Sequence, residues 1–193
     1  MKRWWCAPAL WLAMTVVQAA EPVGKDVEVQ GAADRDIPAW TLHTLAPEGW
    51  TQDCCMYAKA IGVNLVLYKG DWTGEPERVM VLNIWTSKLS SLEAEVQDDR
   101  HRYLNRDPGG KAGVFALDNK ALACRGVLYE GSDHKDDVVV FCDPGLASGI
   151  RLSWSMTLAH DDPEKPALLA QFRGVAEETI YAVTRAAGAK AKH

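Results

Sequence analysis

The chain holds 193 residues, 48% of them hydrophobic and 24% charged, with a formal net charge of −5 at pH 7. That length suits one domain with a core of its own, and no internal repeat or low-complexity segment interrupts it. The negative balance excludes nucleic acid and anionic membrane surfaces as favoured partners, and it is compatible with a basic protein partner.

Residues 1–20 read as a secretory signal peptide. Lys2 and Arg3 form a short basic start, an apolar run follows from Trp4 to Val17, and small residues close it at Ala19 and Ala20, near which cleavage is expected. The run is shorter than the roughly 20 residues a membrane span needs, so no stable membrane insertion is expected. Cys6 lies inside the run, away from a lipid-attachment position. The address is therefore periplasmic. Four cysteines remain in the exported chain, Cys54, Cys55, Cys124 and Cys142, and an even count outside the cytoplasm is read as disulfides. Cys124 and Cys142 flank an expected hairpin and can bridge it, which leaves two adjacent cysteines to close a strained ring. The arrangements that tie Cys54 and Cys55 to the two strands avoid that ring and are preferred.

Residues 21–38 are polar and mixed, an extended arm or a short edge strand around Val27 and Val29. A single α+β domain is expected over 39–187, with 188–193 a frayed tail. Residues 39–45 can be a strand, and Pro47-Glu48-Gly49-Trp50 is a turn that brings Trp50 back against the sheet. Residues 51–59 carry the paired cysteines as an ordered loop. Strands follow at 63–69 and 78–86, joined by a loop dense in turn formers that holds Trp72. Residues 90–106 read as a helix capped by Ser90 with Glu93, whose apolar stripe is Leu89, Leu92, Val96, Tyr103 and Leu104. Residues 113–120 form a loop or a short strand around Val114 and Phe115. Strands at 122–130 and 138–142 make a hairpin with a charged tip at 132–137. The stretch 150–158 separates its positions completely: Ile150, Leu152, Trp154, Met156 and Leu158 on one side, Arg151, Ser153, Ser155 and Thr157 on the other. A period of two marks a strand with one buried and one wet face, and this strand is placed in the middle of the sheet. A last helix is expected from about 163 or 166 to 187, capped by Asp162, with Leu168, Phe172, Val175, Thr179, Ile180 and Val183 as its apolar stripe. Runs of strands with short turns give an antiparallel sheet covered by two amphipathic helices, the α+β class.

This element order, with the turn Pro47-Glu48-Gly49-Trp50 and Phe172 in the first half of the last helix, resembles the PsbP-like fold from about Trp40 to Val183. The resemblance implies an α/β/α sandwich around an antiparallel sheet. It implies a binding or assembly module, of the kind found among bacterial periplasmic and extrinsic photosynthetic proteins, and it brings no catalytic residues to transfer.

The residues themselves point to little chemistry. Ser148 misses the nucleophile-elbow spacing and reads as a turn serine. A C-x-x-C redox motif is absent. Asp133, His134, Asp136 and Asp137 form one charged run, and His160, Asp161 and Asp162 another. Neither has calcium-loop or zinc-ligand spacing, so both read as solvated surfaces and no metal or cofactor is expected. Asp98 and Asp99, like Glu177 and Glu178, are neighbours on a helix and point apart. Trp72 stands in a polar loop. It is a binding anchor or, the commoner fate of a large aromatic, folds back on the sheet.

The leading expectation is a non-catalytic periplasmic protein-binding module, in its most concrete form an immunity protein: an acidic inhibitor that plugs a toxic effector. Its contact residues would be Trp72, Asp133, His134, Asp136, Asp137 and Asp161. The alternatives are an envelope assembly or accessory factor, and a small periplasmic hydrolase using His43 or His160 beside a carboxylate.

Overall fold

The structure is a computed structural model, and it describes residues 24–34, 36–145 and 148–184. The expected signal peptide and the C-terminal tail lie outside the described residues. The described chain is α+β, with antiparallel pairing throughout.

The opening residues are more than an arm. β1 (Gly24–Gly31) buries Val27 and Val29 and pairs along its whole length with β2 (Trp40–Pro47). The expected turn follows: Gly49 has φ 79°, the left-handed region that suits glycine, and the Trp50 N–H donates to the Pro47 carbonyl at 3.1 Å. Trp50 is buried. The segment expected as a cysteine loop is more ordered than a loop: β3 (Thr51–Asp53) leads through the cysteines into a short helix, α1 (Tyr57–Ile61). Then come β4 (Leu65–Lys69), β5 (Arg78–Thr86), α2 (Leu92–Arg106), β6 (Lys111–Ala116), β7 (Ala123–Glu130), β8 (Lys135–Asp143), β9 (Ile150–Ala159), α3 (Lys165–Glu177) and β10 (Ile180–Val183).

Two sheets form where one was expected. Seven strands pair in the order β3-β4-β5-β9-β8-β7-β6, and three in the order β1-β2-β10. β9 does lie at the centre. Its Ile150, Leu152, Trp154, Met156 and Leu158 are all buried, facing the small sheet and α3 across the main core with Leu42, Leu82, Phe172 and Val175. Each such side chain contributes on the order of 1.5–3 kcal/mol by leaving water.

The other side of β9 is not wet along its first half. Arg151 is 2% exposed and pairs with Asp143 at 3.0 Å, and Ser153 is buried too. On that side of the sheet α2 packs over the neighbouring β7 and β8 and builds a second cluster of Val96, Val127, Tyr129 and Phe141. Leu92 and Tyr103 of the expected stripe pack against it. The helix is capped one residue later than expected, the Ser91 hydroxyl accepting from the Ala94 N–H at 3.1 Å.

α3 ends ten residues earlier than expected. Thr179, assigned to its stripe, terminates it: the buried Thr179 hydroxyl donates to the Val175 carbonyl at 2.7 Å and accepts the Trp154 indole N–H at 2.9 Å. Ile180 and Val183 then belong to β10, which completes the small sheet against β2. Asp162 is not its cap either. Its carboxylate accepts the Glu164 N–H at 2.9 Å and meets the Arg78 guanidinium at 2.7 Å.

The disulfide expectation is overturned. Cys124 and Cys142 stand directly opposite each other in the β7–β8 ladder, Cα atoms 4.2 Å apart, and are bridged, while Cys54 pairs with Cys55. Strand order explains this. Cys54 follows β3, four strand positions from β8, so about 19 Å separates it from Cys142, far beyond a bridge's reach.

Candidate functional site

Antiparallel register gathers the loops. The end of β4, the start of β5, the β7–β8 tip, the end of β9 and the start of α3 all fall at one end of the large sheet. Trp72, Asp133, His134, Asp137 and Asp161 are thereby carried to that end from three separate stretches of chain.

The hairpin tip is held from both sides. Asp107, just past the end of α2, accepts the Ser132 hydroxyl at 2.6 Å and the Ser132 N–H at 2.7 Å. These hydrogen bonds, first that of the hydroxyl, hold the Asp107 carboxyl below the ordinary carboxylate range. Asp133 turns inward on its own loop, its carboxylate accepting the Lys135 N–H at 3.0 Å. His134 takes a left-handed φ of 64°, and its carbonyl accepts the His160 N–H at 2.9 Å. Asp133, His134 and Asp161 are exposed. Asp137 is half-buried and accepts the Thr157 hydroxyl at 2.5 Å.

Asp136 departs from its expected place. The run 132–137 reads as one solvated tip, but β8 already begins at Lys135, and alternation sends Asp136 inward. It is 0% exposed. Lys165 at the start of α3 donates to one carboxylate oxygen, and His160 Nδ1 lies 3.0 Å from the other. Burial alone would raise the Asp136 pKa. The hydrogen bonds from Lys165 and His160 and their charges override that and hold it below its usual value. Asp136 is therefore an internal tie between β8 and α3, not a contact residue.

Trp72 folds back. It is half-buried and stacked on Tyr57, ring centroids 5.6 Å apart at 15°. Tyr57 in turn meets Tyr68 edge-on at 5.8 Å.

Between the tip and the end of α2 lies an open cleft of about 480 Å³, walled by Tyr103, Arg106, Asp107, Asp133, Lys135 and Asp137. Tyr103 stacks on Tyr129 at 4.2 Å. Burial, then the nearby carboxylates of Asp107, Asp137 and Asp133, push the Tyr103 hydroxyl above its ordinary pKa. Sequence alone gives no sign of this wall, because Tyr103 reads wholly as part of the helix stripe.

His160 does sit beside a carboxylate, the pairing a hydrolase would use. That carboxylate is ion-paired with Lys165 at the same time, and among the described residues no hydroxyl or thiol is hydrogen-bonded to the imidazole. His43 is exposed, 4.0 Å from Glu28. Among the described residues no three His, Cys, Asp or Glu side chains converge as a metal site, and no helix is long and apolar enough to cross a membrane.

No protein-family model and no curated protein matches the chain. Solved structures do resemble it. A cyanobacterial PsbP, CyanoP from Synechocystis sp. PCC 6803, is among them, at 15% identity over 87% of this chain and 99% of that one, with a TM-score of 0.48. The Ran-binding protein Mog1p of Saccharomyces cerevisiae is another, at 12% identity over 84% of this chain and 96% of that one, with a TM-score of 0.49.

Proposed function

We propose that the protein is a non-catalytic binding module, exported to the periplasm, that docks a basic protein through the hairpin end of its sheet. One observation carries the reading: exposed carboxylates sit on a tip whose backbone is fixed in advance, by Asp107 on one side and by the Asp136–Lys165–His160 tie on the other. A loop ordered before binding loses little conformational entropy on docking, and exposed acidic groups raise the rate of encounter with a basic surface. In its most concrete form the module is an immunity protein that occludes a toxic effector.

Affinity capture from the envelope fraction of the source cells, at low salt, tests the docking end. Asp133→Asn keeps the acceptor that the turn needs and removes its charge, and Asp161→Lys reverses the second charge. The pair is expected to slow association with the captured protein about tenfold at low salt, with the difference fading at high salt. Capture of nothing, or equal association by the variant, overturns the docking assignment. The immunity form further requires that the captured protein be toxic alone and neutralised on co-expression. Export is read separately by the intact mass of the periplasmic chain, which is expected to begin just after Ala19 or Ala20.

A further inference from the structure

The two disulfides occupy opposite environments. Cys124 and Cys142 are 3% and 0% exposed, sealed in the main core. Cys54 is half-buried and Cys55 exposed, at the end of the sheet away from the hairpin tip. Beside them opens a cleft of about 530 Å³, walled by Ile37, Trp40, Lys59 and Val63. A cleft of that size is on the scale that holds a small molecule.

We propose that Cys54–Cys55 is a thiol-exchange site for low-molecular-weight thiols, with Cys124–Cys142 as the inert structural bridge. An incoming thiolate attacks the Cys55 sulfur. A new S–S bond forms between the two, the Cys54–Cys55 bond breaks, and its electron pair leaves as the Cys54 thiolate. A second thiol attacks the mixed disulfide and releases Cys55. The two incoming thiols end oxidised as their own disulfide, the protein ends as a dithiol, and the two protons that the thiols lost reside on Cys54 and Cys55.

Two features let the pair open without loss of the fold. The bridge spans a sequence separation of 1, so it restrains the unfolded chain hardly at all, whereas Cys124–Cys142 closes a separation of 18. The bend also has its own support: the Asp53 carboxylate accepts the N–H groups of Cys55, Met56 and Ala58 at 3.0–3.1 Å. Those bonds keep the two sulfurs adjacent after reduction, ready to close again.

This inference goes beyond the docking function and does not need it. The test uses the purified full chain, folded, exposed to reduced glutathione, quenched with iodoacetamide and mapped by peptide mass. Label or glutathione adduct is expected at Cys54 and Cys55 at least about tenfold faster than at Cys124 and Cys142, with circular dichroism unchanged. The assignment falls if all four cysteines react together, if Cys124 and Cys142 react first, or if Cys54 and Cys55 react only once urea unfolds the chain. The double variant Cys54→Ser, Cys55→Ser is expected to melt within a few degrees of the wild type and to take up no glutathione while folded. Uptake that persists in that variant also overturns it.

Discussion

Trp154→Ala is expected to cost about 4 kcal/mol of folding stability, the middle of the range for truncating a buried large aromatic. Trp154 is 0% exposed at the middle of the central strand, opposite Leu82 on one side and Val140 on the other. Removing the indole empties the space between the large sheet and α3. It also strips the Thr179 hydroxyl of the N–H it accepts, and that hydroxyl ends α3 by bonding the Val175 carbonyl. The same carbonyl accepts the Thr44 hydroxyl of β2 at 2.8 Å, so the loss reaches both sheets at once. For a domain of this size about 4 kcal/mol lowers the melting temperature by roughly 10 °C or more. Urea unfolding measures it directly. Trp154→Phe, which keeps most of the bulk and loses the donor, is expected to fall between the wild type and the alanine variant. A Trp154→Ala midpoint within about 1 kcal/mol of the wild type contradicts the packing described for this residue.

Alternation along β9 was legible because it depends on one strand alone: side chains two apart share a face wherever the strand lies. What covered the second face was not, since Arg151 beside Trp85 looks the same in a sequence whether protein or water lies above it. β10 was lost for a related reason. Ile180-Tyr181-Ala182-Val183 continues the apolar spacing of α3, and only pairing with β2 decides that it is a strand. At the site, the charged run 132–137 announced a tip by composition. Composition carries no phase, so the buried Asp136 could not be separated from the exposed Asp133. The helix cap shows the same limit on a smaller scale. Ser90 with Glu93 satisfies the sequence pattern, yet Ser91 takes the extended backbone that caps, and buried Glu95 faces the Ser87 hydroxyl at 3.4 Å. The cysteine pairing depended on strand order, the most non-local fact of all.

Lys165→Met tests the tie beneath the docking tip, and its effect is expected to depend on which member is removed. Asp136 has no exposure, whereas Lys165 and His160 both reach solvent. Taking away the ammonium leaves a buried carboxylate with only His160 as a side-chain partner, and stranding a buried charge costs about 3 kcal/mol. Asp136→Asn leaves Lys165 and His160 free to turn to water, so it is expected to cost less. The double variant Lys165→Met, Asp136→Asn is then expected to be more stable than Lys165→Met alone, the signature of a coupled pair. The pH dependence follows from the lowered Asp136 pKa. A carboxyl with a depressed folded pKa contributes stability that is complete above its unfolded value, about 4, and is lost as the pH falls through the folded one. Without Lys165 that depression shrinks, because one of the two side-chain hydrogen bonds and its charge are gone while the burial remains. The gap between wild type and Lys165→Met is therefore expected to be full at neutral pH and to narrow below about pH 4, as urea melts across pH will read. A constant gap across pH removes the charge on Asp136 from the explanation. A double variant no more stable than Lys165→Met shows that Asp136 and Lys165 are not coupled, and the tip is then held for a partner by the Asp107–Ser132 brace and the His160–His134 backbone bond instead.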